Sequence, residues 1–434
     1  MDILLELIII NFAVLLTIFA FQKYRKSTPA FLFTIVWTVQ IIVILLGWSN
    51  YLYFSYYGLL VILFGVLCFD LGYQVTISKP KTNYIKLNKQ ISYNSTSCEF
   101  IYYSVLLIAV ASVFYGITSQ GYSLSSLFDM NSFIEMSYQN SLERYTDEAS
   151  NGGGALSKLL GINSYTCPLV GGLMFHHFQY KEKRYLSFVS ILPNIIIGLS
   201  QGVKMGIISS IFLWAIGYVV ASNLLSKQIK INFRQVLFIM IGAFVFMLLM
   251  IVTMMFRYGG LDVDTFYVAS GKMISYGLGH LPAFDLWYMG YQENINELTF
   301  GGKTFYGITN TLGILTREQG VFSTMYQISP LGDETNVFTA FRFYIEDFGT
   351  LGSFVYLFIM GSVCRFFYDR FRALRHVYLN ATIMCAIYFY ISWSFSTSVF
   401  AYATYIAMFL YLFVLLKLMF SVKYNREVIQ GINN

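Results

Sequence analysis

The chain of 434 residues is 57% hydrophobic, 19% aromatic and only 12% charged, with a mean hydropathy of +0.61, whereas soluble domains carry about 25% charged residues. This excludes an ordinary soluble domain, and apolar runs of about 18 to 22 residues, matched to a hydrocarbon core of roughly 30 Å, exclude the short alternating strands of a β-barrel. The net charge of +6 comes from Lys and Arg gathered between apolar runs, which is the positive-inside pattern of membrane loops and not a nucleic-acid surface.

In chain order the apolar runs predict spans over about 3–21, 31–49, 57–75, 101–118, 163–179, 186–200, 205–223, 236–256, 348–366, 379–397 and 399–420. The expected fold is an all-α polytopic bundle of about eleven transmembrane helices. Pro193 falls inside the short run 186–200 and removes a backbone donor, so that helix is expected to kink or break. Residues 1–256 hold the first eight spans and a loop at 119–162. Residues 257–347 form a second, larger loop, and 348–434 hold the last three spans and a tail.

The cations set the orientation. Lys23, Arg25 and Lys26, then Lys79 to Lys89, Lys181 to Arg184, Lys227 to Arg234, Arg365 to Arg375 and Lys417 to Arg426 contribute 20 of the 28 Lys and Arg to one set of loops; the other set holds 8. The richer side is cytoplasmic. The N-terminus is then outside, the C-terminus is cytoplasmic, and both long loops are outside. The first apolar run lacks a basic leader and a small-residue cleavage site, so it is expected to remain as a helix.

Leu124, Leu127, Phe128, Phe133, Ile134 and Met136 predict an interfacial helix in the first long loop, followed by the acidic 143–148 segment and the glycines before residue 155. The second loop is rich in Gly, Tyr and Phe. Loops beyond about 15 residues are usually functional or folded in their own right. The five cysteines lie mostly in apolar runs and offer no disulfide framework, and the four His show no metal-ligand spacing, so no metal is expected.

Eight cations on the outer side break the positive-inside rule, and four of them sit at span ends or in polar clusters: Lys204 in the turn 200–206, Arg257 directly after Phe256, Arg317 before Glu318, and Arg342 within Phe341-Arg342-Phe343-Tyr344. Such a set suits a phosphate or diphosphate on a lipid, because the guanidinium fork matches phosphate oxygens in pairs. Pairing with Glu318, Glu334, Glu346 or Asp347, or snorkelling to head groups, is the structural alternative. Tyr258 and other rings of the second loop match the apolar faces and polar edges of sugars. Glu334, Glu346, Asp347 and His280 are groups able to take a hydroxyl proton.

The stretch Gly332-Asp333-Glu334-Thr335-Asn336-Val337-Phe338-Thr339, the aromatic segment through Tyr344, and Asp347-Phe348-Gly349-Thr350-Leu351-Gly352 ahead of a span resemble the signature of the Wzy-type O-antigen or oligosaccharide repeat-unit polymerases. The layout is similar too: many spans, a long outer loop in the second half, and a small-polar turn with a cation, here Lys204. The resemblance implies a C-type, metal-independent glycosyltransferase without a cofactor in a bacterial inner membrane. Its substrate would be an undecaprenyl-pyrophosphate-linked oligosaccharide, the growing glycan passing to the non-reducing end of a new lipid-linked unit at the periplasmic face. A chain-length regulator and a flippase are the implied protein partners; nucleic acid is not.

On this reading Arg257, Arg317 and Arg342 bind the diphosphates and Lys204 supports them. Glu334 or His280 accepts the proton, and Asn336 orients a sugar hydroxyl beside Tyr344 and Tyr258. Asp347 either fixes Arg342 or caps the helix beginning near Gly349. An O-antigen ligase uses similar chemistry. A lipid-linked oligosaccharide flippase forms no bond and is expected to carry charges along a central cavity.

Overall fold

The computed structural model describes residues 2–24, 27–75, 88–143, 154–227, 233–316, 322 and 324–425. Its helices are α1 (Asp2–Lys23), α2 (Pro29–Trp48), α3 (Tyr57–Gln74), α4 (Ser95–Thr118), α5 (Met130–Glu143), α6 (Ala155–Tyr180), α7 (Tyr185–Val189), α8 (Leu192–Ser200), α9 (Lys204–Leu224), α10 (Phe233–Arg257), α11 (Val263–Leu278), α12 (His280–Gly290), α13 (Tyr306–Thr311), α14 (Ala340–Arg372), α15 (Val377–Trp393) and α16 (Ala403–Met419). Two small antiparallel pairs join β1 (Asn88–Tyr93) to β4 (Phe420–Asn425) and β2 (Tyr326–Gln327) to β3 (Glu334–Thr335).

The protein is an all-α polytopic membrane protein. Seven of the described helices are long and apolar enough to cross a bilayer, and the segments Tyr185–Ser200, α15 and α16 are shorter apolar helices. With α6, these cover all eleven expected spans. Leu, Ile, Val and Phe side chains stand exposed along the outer helices, as Ile3, Leu4, Leu7 and Leu15 do on α1 and Met240, Phe244 and Val245 on α10. Hydrocarbon is the environment in which such faces, and helices that satisfy their own backbone, are stable.

Glycine sets the closest helix approaches. A Cβ on Gly172 of α6 would lie 1.9 Å from the Trp214 carbonyl oxygen of α9, and one on Gly217 of α9 would lie 2.2 Å from that of Leu169. The same reciprocal arrangement joins α3 to α14, through Gly72 against Phe358 and Gly361 against Phe69. Small residues permit this backbone contact where no hydrophobic effect drives helices together. Between α2, α3 and α14 the fully buried Trp37 meets Phe33 and Phe341 edge to face, and Phe33 lies tilted against Phe69.

The run 186–200 is broken as expected. α7 stops at Val189 and α8 starts with Pro193 in its first turn, where the missing N–H would have no intrahelical partner anyway. The final long helix begins earlier than its apolar run suggests: α14 starts at Ala340 and passes through Gly349, whose φ of 71° interrupts the helical backbone. A helical segment thus occupies residues 340–347 within the expected loop, and the expected span 348–366 continues past the Gly349 break. The rest of the second loop is folded, with α11, α12, α13 and the β2–β3 hairpin packed on the bundle. α5 supplies the expected helix of the first loop, which buries Phe133 and Met136 and exposes Met130 and Leu142.

Candidate functional site

α8 ends at Ser200, and Gly202, with φ 60°, turns the chain into α9 at Lys204. Positive φ suits glycine, which has no Cβ to clash. The turn closes through Gly202 N–H to Leu199 O (3.2 Å) and Val203 N–H to Gly198 O (2.8 Å). α5 lies over it: Ser137 Oγ donates to Leu199 O (2.7 Å) and Asn140 Nδ2 to Ser200 O (2.9 Å). The end of α10 completes the cluster. Arg257 Cβ packs 3.5 Å from where a Gly202 side chain would start, and Ser141 Oγ donates to Arg257 O (3.4 Å). Arg257, 53 positions beyond Lys204 in the chain, is thus brought against the turn that opens α9 at Lys204.

Next to this turn is a cavity of about 430 Å³. Val203, Met205 and Gly206 form one wall, Phe322, Asn336, Val337 and Phe338 the facing one, and Tyr165, Trp393, Tyr402 and Tyr405 with Ser396, Thr397 and Thr404 the remainder. Asn336 is fixed by its Nδ2 bond to Phe322 O (3.2 Å). Thr397 Oγ1 has no hydrogen-bond partner among the described residues. Rings with polar tips, hydroxyls and one amide make a lining suited to sugar.

Arg342 stands behind the far wall. Its guanidinium carbon lies 3.7 Å from the Phe322 ring centre, 4.2 Å from that of Phe338 and 4.9 Å from that of Trp287. Arg342 Nε donates to Glu346 Oε1 (2.8 Å), and Lys303 Nζ meets Glu346 Oε2 (3.0 Å). Of the expected cations, then, Lys204 and Arg257 share a turn, Arg342 is held across the cavity by rings and a carboxylate, and Arg317 lies outside the described residues.

The other expected residues are distributed as follows. Glu334 is exposed on β3, two positions before Asn336. Tyr258 is exposed just beyond α10. Tyr344 is fully buried with its hydroxyl on that of Tyr390, so it packs the bundle and does not reach the cavity. His280 is also buried, its Nε2–H on Gln40 Oε1 (2.8 Å) and its ring against Phe395, and burial holds its pKa down to about 3. Asp347 does not cap a helix at Gly349. Its carboxylate accepts from Thr299 Oγ1, Lys303 N (2.9 Å) and Thr304 N (2.7 Å), clamping the 299–304 turn.

Two carboxylates with related duties are not apparent from sequence. Asp285 of α12 accepts from the backbone N–H groups of Ser55, Tyr56 (2.8 Å) and Gly58 (2.6 Å), capping α3 from another helix. Glu293 accepts from Thr350 N (3.0 Å) beside the Gly349 break. A separation of 227 to 230 positions leaves no local signal for the first contact. The cavity residues Tyr165, Trp393, Ser396, Thr397, Tyr402 and Tyr405 are likewise unmarked, since in sequence they read as ordinary span and belt residues.

Compared with protein-family models, with curated proteins and with solved structures, the chain matches none.

Proposed function

We propose that the chain is a polymerase of lipid-linked oligosaccharide repeat units, of the O-antigen or capsule type, working at the periplasmic face of a bacterial inner membrane. The observation that supports this reading best is the cavity of about 430 Å³ walled by aromatic rings, hydroxyls and Asn336, with Val203 and Met205, on either side of Lys204, in its wall and Arg257 packed on the same turn. One part suits sugar and the other suits phosphate.

In the reaction, a hydroxyl at the non-reducing end of the incoming unit attacks the anomeric carbon of the growing glycan. The bond from that carbon to the diphosphate oxygen breaks, and its electron pair leaves with the undecaprenyl diphosphate. Negative charge grows on the leaving group, so cations fixed beside it stabilise the transition state more than the ground state. Lys204 and Arg257 take this role. Arg342, tied to Glu346 and Lys303, holds the Phe322–Phe338 wall and adds positive charge behind it. Glu334, exposed near Asn336, is assigned as acceptor of the hydroxyl proton.

The test is incubation of purified protein with a lipid-linked repeat unit and a gel for a product ladder. Lys204→Ala and Arg257→Ala are each expected to lower ladder formation by about 10²–10³-fold, the usual effect of removing one fixed charge-stabilising donor, while thermal unfolding stays unchanged. An unaltered ladder from both would overturn the assignment. In cells, loss of the gene should leave single-repeat glycan. Full-length polymer retained on the carrier would indicate a ligase, and repeat units left on the inner leaflet a flippase.

A further inference from the structure

Two more hollows meet at the Lys204 turn. One is a polar chamber of about 420 Å³ between α4, α6 and α8, lined by Tyr115, Gln120, Ser164, Asn194, Ser200 and Gln201 among others. Asn194 and Ser164 are bonded across it, Asn194 Nδ2 donating to Ser164 O (2.8 Å). The other is a groove of about 660 Å³ between α4, α5, α8 and α10, whose walls include Phe114, Leu127, Phe133, Pro193, Ile196 and Phe256 and contain apolar residues only.

The hollows are contiguous through shared or consecutive residues. Val113 lines both chamber and groove. Leu199 belongs to the groove and Ser200 and Gln201 to the chamber, while Phe256 in the groove wall is followed directly by Arg257. Tyr165 lines both the chamber and the 430 Å³ cavity described above. An apolar slot, two cations and a polar chamber therefore succeed one another within a few residues.

Resting on the polymerase reading, we propose that the groove holds the isoprenoid chain of one substrate's carrier lipid, with its diphosphate at the Lys204–Arg257 turn and its first sugars in the polar chamber. Charge complementarity identifies the occupant, because an uncharged chain gains nothing from the paired cations and a soluble phosphate gains nothing from the apolar walls. The glycan of the second substrate then occupies the neighbouring cavity, with Tyr165 as the partition. This arrangement places two lipid-linked substrates on opposite sides of one turn, so the bond broken and the bond formed are both within reach of the same two cations.

The experiment uses the full chain in nanodiscs of phosphatidylethanolamine, labelled with a diazirine-bearing isoprenyl diphosphate and mapped by mass spectrometry. Label is expected on α4 and α8 around Val113 and Ile196. Unlabelled isoprenyl diphosphate should remove it, whereas phosphatidylglycerol in equal amount should not. Ile196→Trp, which fills the groove, should reduce labelling at least tenfold; Val113→Phe serves if the first variant unfolds. Label placed elsewhere, or equal competition by phosphatidylglycerol, overturns the proposal. Full-length glycan made in cells by a stably folded Ile196→Trp protein, where loss of the gene leaves single repeats, removes the groove assignment and leaves the polymerase reading standing. Groove labelling together with glycan unchanged by loss of the gene defeats the polymerase reading and leaves a lipid site.

Discussion

Two carboxylates that look in sequence like candidate proton acceptors, Glu346 and Asp347, serve as clamps, and so does Asp285, which the sequence does not single out. Asp285 holds the first backbone N–H groups of α3, Asp347 holds the 299–304 turn, and Glu346 bridges Arg342 and Lys303. Each satisfies donors that would otherwise be buried without partners, and that is costly. Asp285→Ala should lower stability by about 1–3 kcal/mol, read as a lower unfolding midpoint in detergent, with little change in the ladder formed by the protein that remains folded. His280 gives a pH dependence. Burial lowers its pKa from the ordinary 6.5 to about 3, so between those values the unfolded chain binds a proton that the folded chain does not. Stability is then full above pH 6.5 and falls by about 1.4 kcal/mol per pH unit below it. His280→Gln should flatten that slope between pH 6.5 and 5.5 in thermal unfolding measurements. The sequence shows which groups are titratable, but nothing local reveals that Gln40 waits for His280 across 240 positions.

Helices were the most legible elements, because a run of about 20 apolar residues has one stable form in hydrocarbon. Their pairing was not legible. Gly172 and Gly217 are two glycines among 33, and only the packed structure shows each against the other helix's backbone. Gly217→Leu should cost about 3 kcal/mol or more by forcing α6 and α9 apart, seen as loss of folded protein on size-exclusion chromatography. Gly242→Leu on α10, where a Cβ meets nothing within 4 Å, should be neutral. The start of α14 was hidden for a different reason. Arg342, Glu346 and Asp347 depress hydropathy over its first turns, yet they bury their charges against one another and the 299–304 turn, so the helix runs eight residues earlier than its apolar core.

At the scale of the molecule, the cavity and the Lys204 turn share one end of the bundle with the α11–α13 region. Toward the other end the Tyr24 hydroxyl donates to Asp70 O, the Tyr388 hydroxyl to Ser27 O and Arg372 to Asn223 Oδ1. On the proposed reading, the division of cations into 20 and 8 puts the first end outside. Accordingly, Glu334→Cys should react with a membrane-impermeant maleimide on intact cells, and Lys183→Cys only after lysis; the reverse pattern would overturn the proposed orientation and the periplasmic placement that goes with it. The native thiols give a low background, since Cys98, Cys167, Cys364 and Cys385 are buried and Cys68 is half-buried.

The β1–β4 ladder bears on how such orientation can be mapped at all. It hydrogen-bonds residues 88–93, ahead of α4, to residues 420–425, beyond α16, so the final strand completes a structure begun three hundred residues earlier. Reporter fusions made by truncating the chain at internal loops leave β1 without its mate, a free edge that invites wrong pairings. A reporter inserted within the intact chain, or joined downstream of Asn425, keeps that edge covered and is the design whose readout refers to the native arrangement.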